Sequence, residues 1–389
     1  MIGWINFKSF IKLLVYILLV TAVVYFSIGV IQKKNNLMDI EEYSPKSSLV
    51  VEENPKSSAK FPFVDVHSHQ WKMPVMDFTD LLAEMDSLNM GYMINLSGSG
   101  FATFAGNQDL MDLSLTESIE NIKKQGVTNR FGVFVNVDFN KIDDADFGTN
   151  NVEIIKDAVK QGVIGLKVYK NLGLNLKDNS GNRVKVDDQR LNPIWQICGE
   201  LNIPVLIHSG EPSPFFDPID KHNERWLHAR QKPQSFRNSE EYPSFDVVMQ
   251  EQYNMFKNNP NTTFINAHLG WYGNDLDKMS AQLDELSNVY TEIGAVIAEL
   301  GRQPIRARRF FVEHQDRVLF GKDTYKKSEF DVYFRILETS DEYFDYYRKR
   351  HAHWKMYGLN LPDSILKKLY YKNARKLFPN IPLELFEPN

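Results

Sequence analysis

Eight short apolar segments, each about as long as a strand, follow one another along the chain, with helix-like segments between them. They are rich in Val, Ile, Phe and Tyr and nearly continuous in apolar character, as strands buried on both faces are. The segments lie at 61–69, 91–98, 130–138, 162–170, 203–210, 262–270, 289–295 and 317–323. Repeated strand–helix alternation predicts an α/β fold, a closed (β/α)₈ TIM-type barrel. The alternative, an open doubly wound sheet, normally has a Gly-rich turn after its first strand, and HSHQWK has no glycine.

The chain before the first predicted strand divides into an apolar and a polar part. Residues 13–31 contain no charged side chain, and about 19 helical residues span the ~30 Å hydrocarbon layer of a membrane. We therefore predict a membrane anchor over residues 1–34, with an uncleaved signal-anchor helix at about 13–31; a cleaved signal peptide is the alternative. Residues 35–60 predict a flexible linker, followed by a barrel domain at 61–389 that includes C-terminal helices. The bulk of this single-pass protein is expected outside the cytoplasm.

Composition excludes several kinds of site. The formal net charge of −5 argues against a nucleic-acid surface, so no nucleic-acid partner is predicted. Cys198 is the single cysteine of the sequence, which excludes a disulfide framework and a Cys-rich zinc site. Hydrophobic residues make up 43% of the chain, which is enough for a sizeable core.

Imidazole and carboxylate side chains stand at the ends of four of the predicted strands. The first strand ends in His67 and His69, the fifth in His208, the sixth in His268 and the eighth in Asp323. Because the carboxyl ends of barrel strands meet at one rim, we expect these side chains to converge on a metal ion. Nitrogen and oxygen ligands without a thiolate suit Zn²⁺, with Fe²⁺, Mn²⁺ or Co²⁺ as alternatives.

Two of these side chains also have the chemistry of catalysts. A catalytic zinc site keeps one position open for water, and the ion lowers the pKa of that water from ~15.7 towards ~7. Asp323 is placed to bind the ion and to accept the proton of the water. His268 is placed to polarise or protonate a substrate, or to bind a second ion.

Longer motifs carry a resemblance to a known superfamily. They are VDVHSH, GLKVYKNLGL, VDDQRLNPIWQICGELNIPVLIHSGEP, NTTFINAHLG, ELGRQP, QDRVLFGKD and YKNARKLF, and they cover roughly residues 61–379. With them the chain resembles the metal-dependent amidohydrolases, in the branch that contains hydrolases and non-oxidative decarboxylases. The resemblance implies that His67, His69, His208 and Asp323 bind a tightly held ion. It implies that His268 is a second-metal ligand or a catalytic acid.

Lys167, in the fourth predicted strand, has two interpretations. In binuclear members of the superfamily a lysine of strand four is carbamylated and bridges two ions, which requires an uncharged, desolvated amine. Alternatively, a charged Lys167 hydrogen-bonds a substrate carboxylate or a neighbouring ligand, and the site holds one ion. The sequence leaves both ion counts open.

The long loop after the fifth predicted strand is expected to cover the rim. Glu211, Arg225 and Trp226 are predicted to bind substrate, with Phe215 and Phe216 packing against a ring. The alternative is that Arg225 forms a structural ion pair and Trp226 packs locally. Other imidazole and ammonium groups are expected to face solvent: His222, His228, His351, His353 and, beside the last strand end, Lys322.

These features favour an enzyme that uses a metal-activated water to cleave an amide, lactone or ester bond of a small molecule. A non-oxidative decarboxylase on the same scaffold is the first alternative, and a catalytically inactive, membrane-tethered binding protein is the second. The expected partners are a small-molecule substrate and, through the N-terminal helix, a membrane. A homo-oligomer is compatible with the sequence.

Overall fold

The computed structural model describes residues 7–35, 38–40 and 42–387, and the chain divides into two compact units after residue 50. In the first unit, α1 (Phe7–Asn35) extends beyond the predicted 13–31. Its segment Lys8–Val30 is long and apolar enough to cross a membrane. A signal sequence near an N-terminus has the same length and apolar character. Residues 1–6 of the predicted anchor and 36, 37 and 41 of the predicted linker lie outside the described residues.

Residues 51–60, predicted as linker, are fixed on the barrel domain. The backbone N–H of Asn54 donates to Asp341 Oδ2 at 2.7 Å, and that of Lys60 donates to Glu338 Oε1 at 2.8 Å. Because side chains of the domain satisfy these backbone groups, the second unit begins at residue 51 rather than at residue 61.

The second unit is built on one sheet of eight parallel strands in sequence order. The strands are β1 (Phe63–Ser68), β2 (Met90–Asn95), β3 (Phe131–Val135), β4 (Gly165–Val168), β5 (Val205–Ile207), β6 (Phe264–Asn266), β7 (Val289–Glu292) and β8 (Val318–Leu319). The N–H of Val66 donates to Phe320 O at 3.0 Å, and a parallel bridge joins Ser68 to Asp323. These bonds connect the end of the sheet to β1 and confirm the predicted (β/α)₈ barrel.

Helices alternate with the strands, and local sequence sets their ends. Asn107 caps one helix by accepting the N–H of Leu110 at 3.2 Å, and Gly162, with φ 109°, ends another in a left-handed conformation. The helices are α2 (Thr79–Leu88), α3 (Gln108–Lys124), α4 (Phe147–Gln161), α5 (Asn171–Leu174), α6 (Asn192–Glu200), α7 (Trp226–Gln231), α8 (Phe245–Asn258), α9 (Leu276–Glu285), α10 (Ile297–Gly301), α11 (Pro304–Glu313), α12 (Phe330–Glu338), α13 (Asp363–Lys367) and α14 (Asn373–Leu377).

Aromatic packing joins β1 and β8 to the C-terminal helices where the barrel closes. The ring of Phe63 lies 4.7 Å from that of Phe320 and 6.0 Å from that of Tyr370, and all three rings are fully buried. Burial of a phenyl side chain contributes about 1.5–3 kcal/mol. The N–H of Phe320 also donates to Leu369 O at 3.1 Å. The C-terminal helices therefore hold the strand end that leads to Asp323.

Candidate metal centre

The seam between β1 and β8 brings three of the predicted site residues together. His67 lies in β1, His69 directly follows it, and Asp323 follows β8. The Nε2 atoms of both histidines lie 3.6 Å from Asp323 Oδ1, and one ligand atom from each residue lies within 4.8 Å of the others. Two imidazoles and a carboxylate at this spacing form a group that can hold a metal ion.

The backbone around Asp323 is fixed by hydrogen bonds to β1. Asp323 has a φ of 74°, a left-handed conformation that is uncommon for a residue other than glycine. Its N–H donates to the carbonyl of His67 at 2.6 Å, and the N–H of Lys322 donates to Asp65 Oδ1 at 3.0 Å. Burial raises the pKa of Asp323, but the nearby imidazoles, His67 first, outweigh burial and hold the pKa at about 2. The carboxylate is therefore ionised at neutral pH.

Glu292, at the end of β7, is a buried member of the centre that was not predicted from the sequence. Its Oε1 lies 3.0 Å from Nδ1 of His67 and accepts the backbone N–H of His268 at 2.7 Å, and its Oε2 accepts the N–H of Gly294. A carboxylate that accepts Nδ1–H of a histidine turns Nε2 of that histidine towards the site. The seventh predicted strand runs from 289 to 295, so Glu292 lies in its middle, whereas the observed β7 ends at Glu292. A position at the end of a predicted strand could therefore not identify it.

His268 and His208 form a pair whose hydrogen positions follow from their partners. His268, Leu269 and Trp271 have φ values of 59°, 54° and 60°, a left-handed turn after β6. Nδ1 of His268 lies 2.7 Å from the carbonyl of Gly294, which can only accept, so Nδ1 carries the hydrogen. Its Nε2, 3.3 Å from Nδ1 of His208, then accepts the hydrogen of His208. This leaves Nε2 of His208 unprotonated.

A second hydrogen-bond chain orients His69. Its Nδ1 lies 2.6 Å from Ser97 Oγ, which lies 3.0 Å from the hydroxyl of Tyr169. The Tyr169 hydroxyl donates to the carbonyl of Leu96 at 3.3 Å. A chain that ends on a carbonyl allows Nδ1–H of His69 to donate to Ser97 and leaves Nε2 free. Ser97 and Tyr169 follow β2 and β4, and neither residue was predicted.

Burial lowers the pKa values of several basic groups of the centre. It lowers the pKa values of His67 and His208 well below the usual range and lowers that of His69 to about 3. Burial also lowers the pKa of Lys167 to about 8, against the opposing effect of Asp323. The histidines are therefore neutral at pH 7, which is the form that binds metals.

Three buried nitrogen atoms of the centre have no hydrogen-bond partner among the described residues. They are Nε2 of His67, Nε2 of His208 and Nζ of Lys167. Leaving a buried polar atom unpaired costs about 1–3 kcal/mol. A cation beside the ionised Asp323 would satisfy Nε2 of His67, so the group of His67, His69 and Asp323 fits a metal ion. His208 is joined to this centre through its hydrogen bond with His268.

The predicted substrate-binding residues Glu211 and Arg225 are paired within the protein. Oε1 of Glu211 accepts hydrogen bonds from Lys170 at 2.6 Å and from Arg237 at 3.1 Å. Arg225 is buried and forms an ion pair with Glu299. This arrangement corresponds to the structural alternative for Arg225, and substrate contact by Arg225 and Glu211 stays untested.

The rest of the long loop folds around a small apolar core of its own. Trp226 begins α7, with the guanidinium of Arg230 5.5 Å from its ring. His228 was expected in solvent but is only 7% exposed, with its ring 4.9 Å from Phe215 and 5.0 Å from His351. His351, also expected in solvent, is half-buried. Both expectations are wrong because the loop buries its own histidine against the C-terminal region.

Lys322 was expected to turn outward from the site, and it is instead buried. Its Nζ lies 2.9 Å from Glu329 Oε2 and 5.7, 5.3 and 5.3 Å from the ring centres of Phe330, Tyr333 and Tyr347. An ion pair and aromatic faces compensate the charge, so burial is tolerated.

Comparison with known proteins identifies the family. The profile described as Amidohydrolase matches residues 127–379, more than half of the chain. A 2,6-dihydroxybenzoate decarboxylase complexed with 2,6-dihydroxybenzoate is similar in structure at 13% identity, TM-score 0.50, over 82% of this chain and 98% of that chain. An amidohydrolase II structure has 17% identity and TM-score 0.51, over 82% and 100%. A TIM-barrel protein from Bordetella bronchiseptica has 12% identity and TM-score 0.50, over 82% and 98%. These structural similarities show the fold. A search of curated protein sequences found no match to the chain.

Proposed function

The chain belongs to the amidohydrolase family, and we propose that it is a metal-dependent hydrolase that cleaves a C–N or C–O bond of a small molecule. The bond would be that of an amide, a lactone or an ester. The observation that carries the proposal is the buried, unpartnered Nε2 of His67, which lies 3.6 Å from Oδ1 of the ionised Asp323, at the same distance as Nε2 of His69. Such donors bind a cation and leave the substrate side of the ion open.

We propose Zn²⁺ as the ion, with His67, His69, His208 and Asp323 as its ligands. Neutral imidazole and carboxylate without thiolate are donors typical of catalytic zinc, although Fe²⁺, Mn²⁺ and Co²⁺ accept them too. When bound, the ion would supply Lewis acidity and lower the pKa of a water molecule towards ~7.

Asp323 would move the proton. Because its carboxylate is ionised at neutral pH, it has a site that can accept a proton from the attacking water and return it to the leaving group. His268 would orient His208, since its Nε2 accepts the hydrogen of His208 Nδ1. His268 becomes a ligand of a second ion only if this hydrogen bond is exchanged.

Lys167 would bind a substrate oxygen. Its buried Nζ has no hydrogen-bond partner among the described residues and lies 5.4 Å from the centre of the Tyr169 ring. Its pKa of about 8 leaves most of the population protonated at pH 7. A protonated Lys167 favours one ion, whereas a carbamylated Lys167 would favour two.

Metal analysis of the full-length protein in detergent tests this assignment. We expect one zinc ion per chain, loss of that ion in His208→Ala, and retention of one ion in Lys167→Ala. Hydrolysis of an amide, lactone and ester panel is measured on the same samples. A wild-type protein that binds no divalent ion would contradict the proposal.

A decarboxylase is the second candidate, favoured by the unpartnered Nζ of Lys167, which fits a substrate carboxylate. Product analysis in H₂¹⁸O separates the two reactions, since hydrolysis adds ¹⁸O to a product and decarboxylation releases CO₂ without adding water. An ion-loaded protein that does neither would favour the inactive binding protein.

We also propose that α1 anchors the protein as a single pass, with the catalytic domain outside the cytoplasm. Its apolar segment Lys8–Val30 supports this in length and composition. N-terminal sequencing of the mature protein is the test: retention of the segment supports the anchor, and a start beyond residue 31 shows cleavage.

A further inference from the structure

We propose that four aromatic rings beside the metal centre bind a flat, unsaturated group of the substrate, an inference that rests on the proposed function. The aromatic wall consists of Trp71, Phe101, Phe104 and Tyr169. It narrows the substrate to one whose cleaved amide, lactone or ester is attached to an aromatic ring or a similar flat group.

The aromatic wall is assembled from three loops at the carboxyl ends of the strands. Trp71 follows β1, Phe101 and Phe104 lie on a 3₁₀ turn after β2, and Tyr169 follows β4. The ring of Trp71 lies 6.0 Å from that of Phe101, 5.2 Å from that of Phe104 and 6.4 Å from that of Tyr169. Segments far apart in the sequence thus meet in one apolar surface.

The aromatic wall is continuous with the metal centre. The ring of Trp71 stacks on that of His69, with centroids 5.1 Å apart and an interplanar angle of 6°. The ring of Tyr169 lies 5.9 Å from that of His69. Because His69 is a proposed ligand of the ion, a substrate bound at that ion would have these rings beside it.

The outer part of the aromatic wall is exposed. Phe101 is 65% exposed and Phe104 is 67% exposed, although both rings contribute to the cluster around Trp71. Exposed phenyl rings that pack on a shared aromatic residue form an apolar patch, which is typical of a surface that binds a ligand. Flat groups gain most from such a surface, because offset stacking adds to the burial of apolar area.

Two hydroxyl groups beside the aromatic wall, those of Ser97 and Thr103, are already paired, which argues against a stacked sugar. Ser97 Oγ contacts both His69 and the hydroxyl of Tyr169. The hydroxyl of Thr103 donates to the carbonyl of Gly100 at 2.8 Å. A stacked sugar would need hydrogen-bond partners for its own hydroxyls, and burying them unpaired is unfavourable. A flat apolar group has no such requirement.

Three neutral amides test the inference: benzamide, cyclohexanecarboxamide and glucuronamide. All three carry an amide group. The attached ring is flat in benzamide, saturated in cyclohexanecarboxamide and a sugar in glucuronamide. Their dissociation constants are measured by ligand-observed NMR on the zinc-loaded, full-length protein in detergent, with empty micelles as the blank. We expect benzamide to bind at least about threefold more tightly than either of the others.

Two variants assign that preference to the aromatic wall. Phe101→Leu and Phe104→Leu keep apolar bulk and remove the ring, so each is expected to weaken benzamide binding about fivefold with little effect on cyclohexanecarboxamide. Tyr343→Leu is the control, since Tyr343 is 44% exposed and packs against Tyr357. Melting temperatures verify that the variants are folded.

The outcomes separate this inference from the proposed function. Equal binding of the three amides, tighter binding of glucuronamide, or folded leucine variants with unchanged benzamide affinity would overturn the aromatic wall as a subsite, whatever the zinc content. A benzamide preference that the leucine variants abolish, in a protein that metal analysis shows to bind no divalent ion, would support the subsite and refute the hydrolase.

Discussion

The two sides of the metal centre are held in place by different interactions. On the seam side, where β1 meets the chain after β8, the backbone N–H of Asp323 donates to His67 and that of Val66 donates to Phe320. On the loop side, the segment after β5 is held by side-chain ion pairs such as Arg225 with Glu299. Barrel closure therefore fixes the positions of the metal ligands. The loop beside them is held by side-chain ion pairs, which can be broken without opening the barrel.

The largest effect is expected from removing charge on the seam side. Asp323→Asn keeps the shape of the side chain but cannot accept a proton, so hydrolysis should fall by about 10³-fold or more. Rates with a substrate from the hydrolysis panel, together with zinc content, measure this. A variant that retains a tenth of the activity would show that Asp323 is not the proton acceptor.

Breaking an ion pair on the loop side should cost stability and not metal binding. Arg225 and Glu299 are both almost fully buried, so Glu299→Gln leaves a buried guanidinium short of its partner, at a cost of about 3 kcal/mol. Chemical denaturation measures the free energy of unfolding. Asp363→Asn is the control, because its ion pair with Lys60 is exposed and should contribute less than about 1 kcal/mol.

Zinc affinity sharpens the same comparison. The two sides are independent if Glu299→Gln, while folded, binds zinc as tightly as wild type does. A large loss of affinity would instead mean that the loop side also fixes the ligands, and the distinction between the two sides would fail.

The same distinction explains what the sequence can predict. Apolar runs in the sequence show where a strand ends, and in a barrel the carboxyl ends of all strands lie at one rim. The convergence of His67 and Asp323 therefore follows from the sequence. Glu292 ends β7 in the structure but lies inside the seventh predicted strand, and a single glutamate among 50 acidic residues carries no distinctive pattern. Arg225 and Glu299 are 74 positions apart, and no period or motif connects their loops. Such side-chain pairings depend on loop conformation, which the sequence pattern does not encode.

Glu292→Gln tests whether the seam side includes an orienting carboxylate. The amide cannot accept all three hydrogens that Glu292 accepts, so His67 should lose its fixed orientation and zinc affinity should fall about 10- to 100-fold. Chelator competition gives the dissociation constant. Glu251→Gln is the matched control, a buried glutamate that pairs with Arg183, and its zinc affinity should equal that of wild type.

The smallest effect is expected at Ser97, which supports His69 from β2. Ser97→Ala removes the acceptor 2.6 Å from Nδ1 of His69, so zinc affinity should fall about tenfold. Ser99→Ala is the control, because the Oγ of Ser99 is buried without a partner among the described residues. Ser97→Thr should restore the affinity. Imidazole ¹⁵N chemical shifts report the tautomer of His69. If Ser97→Ala changes neither that tautomer nor the zinc affinity, the hydrogen bonds of the seam alone orient the metal ligands.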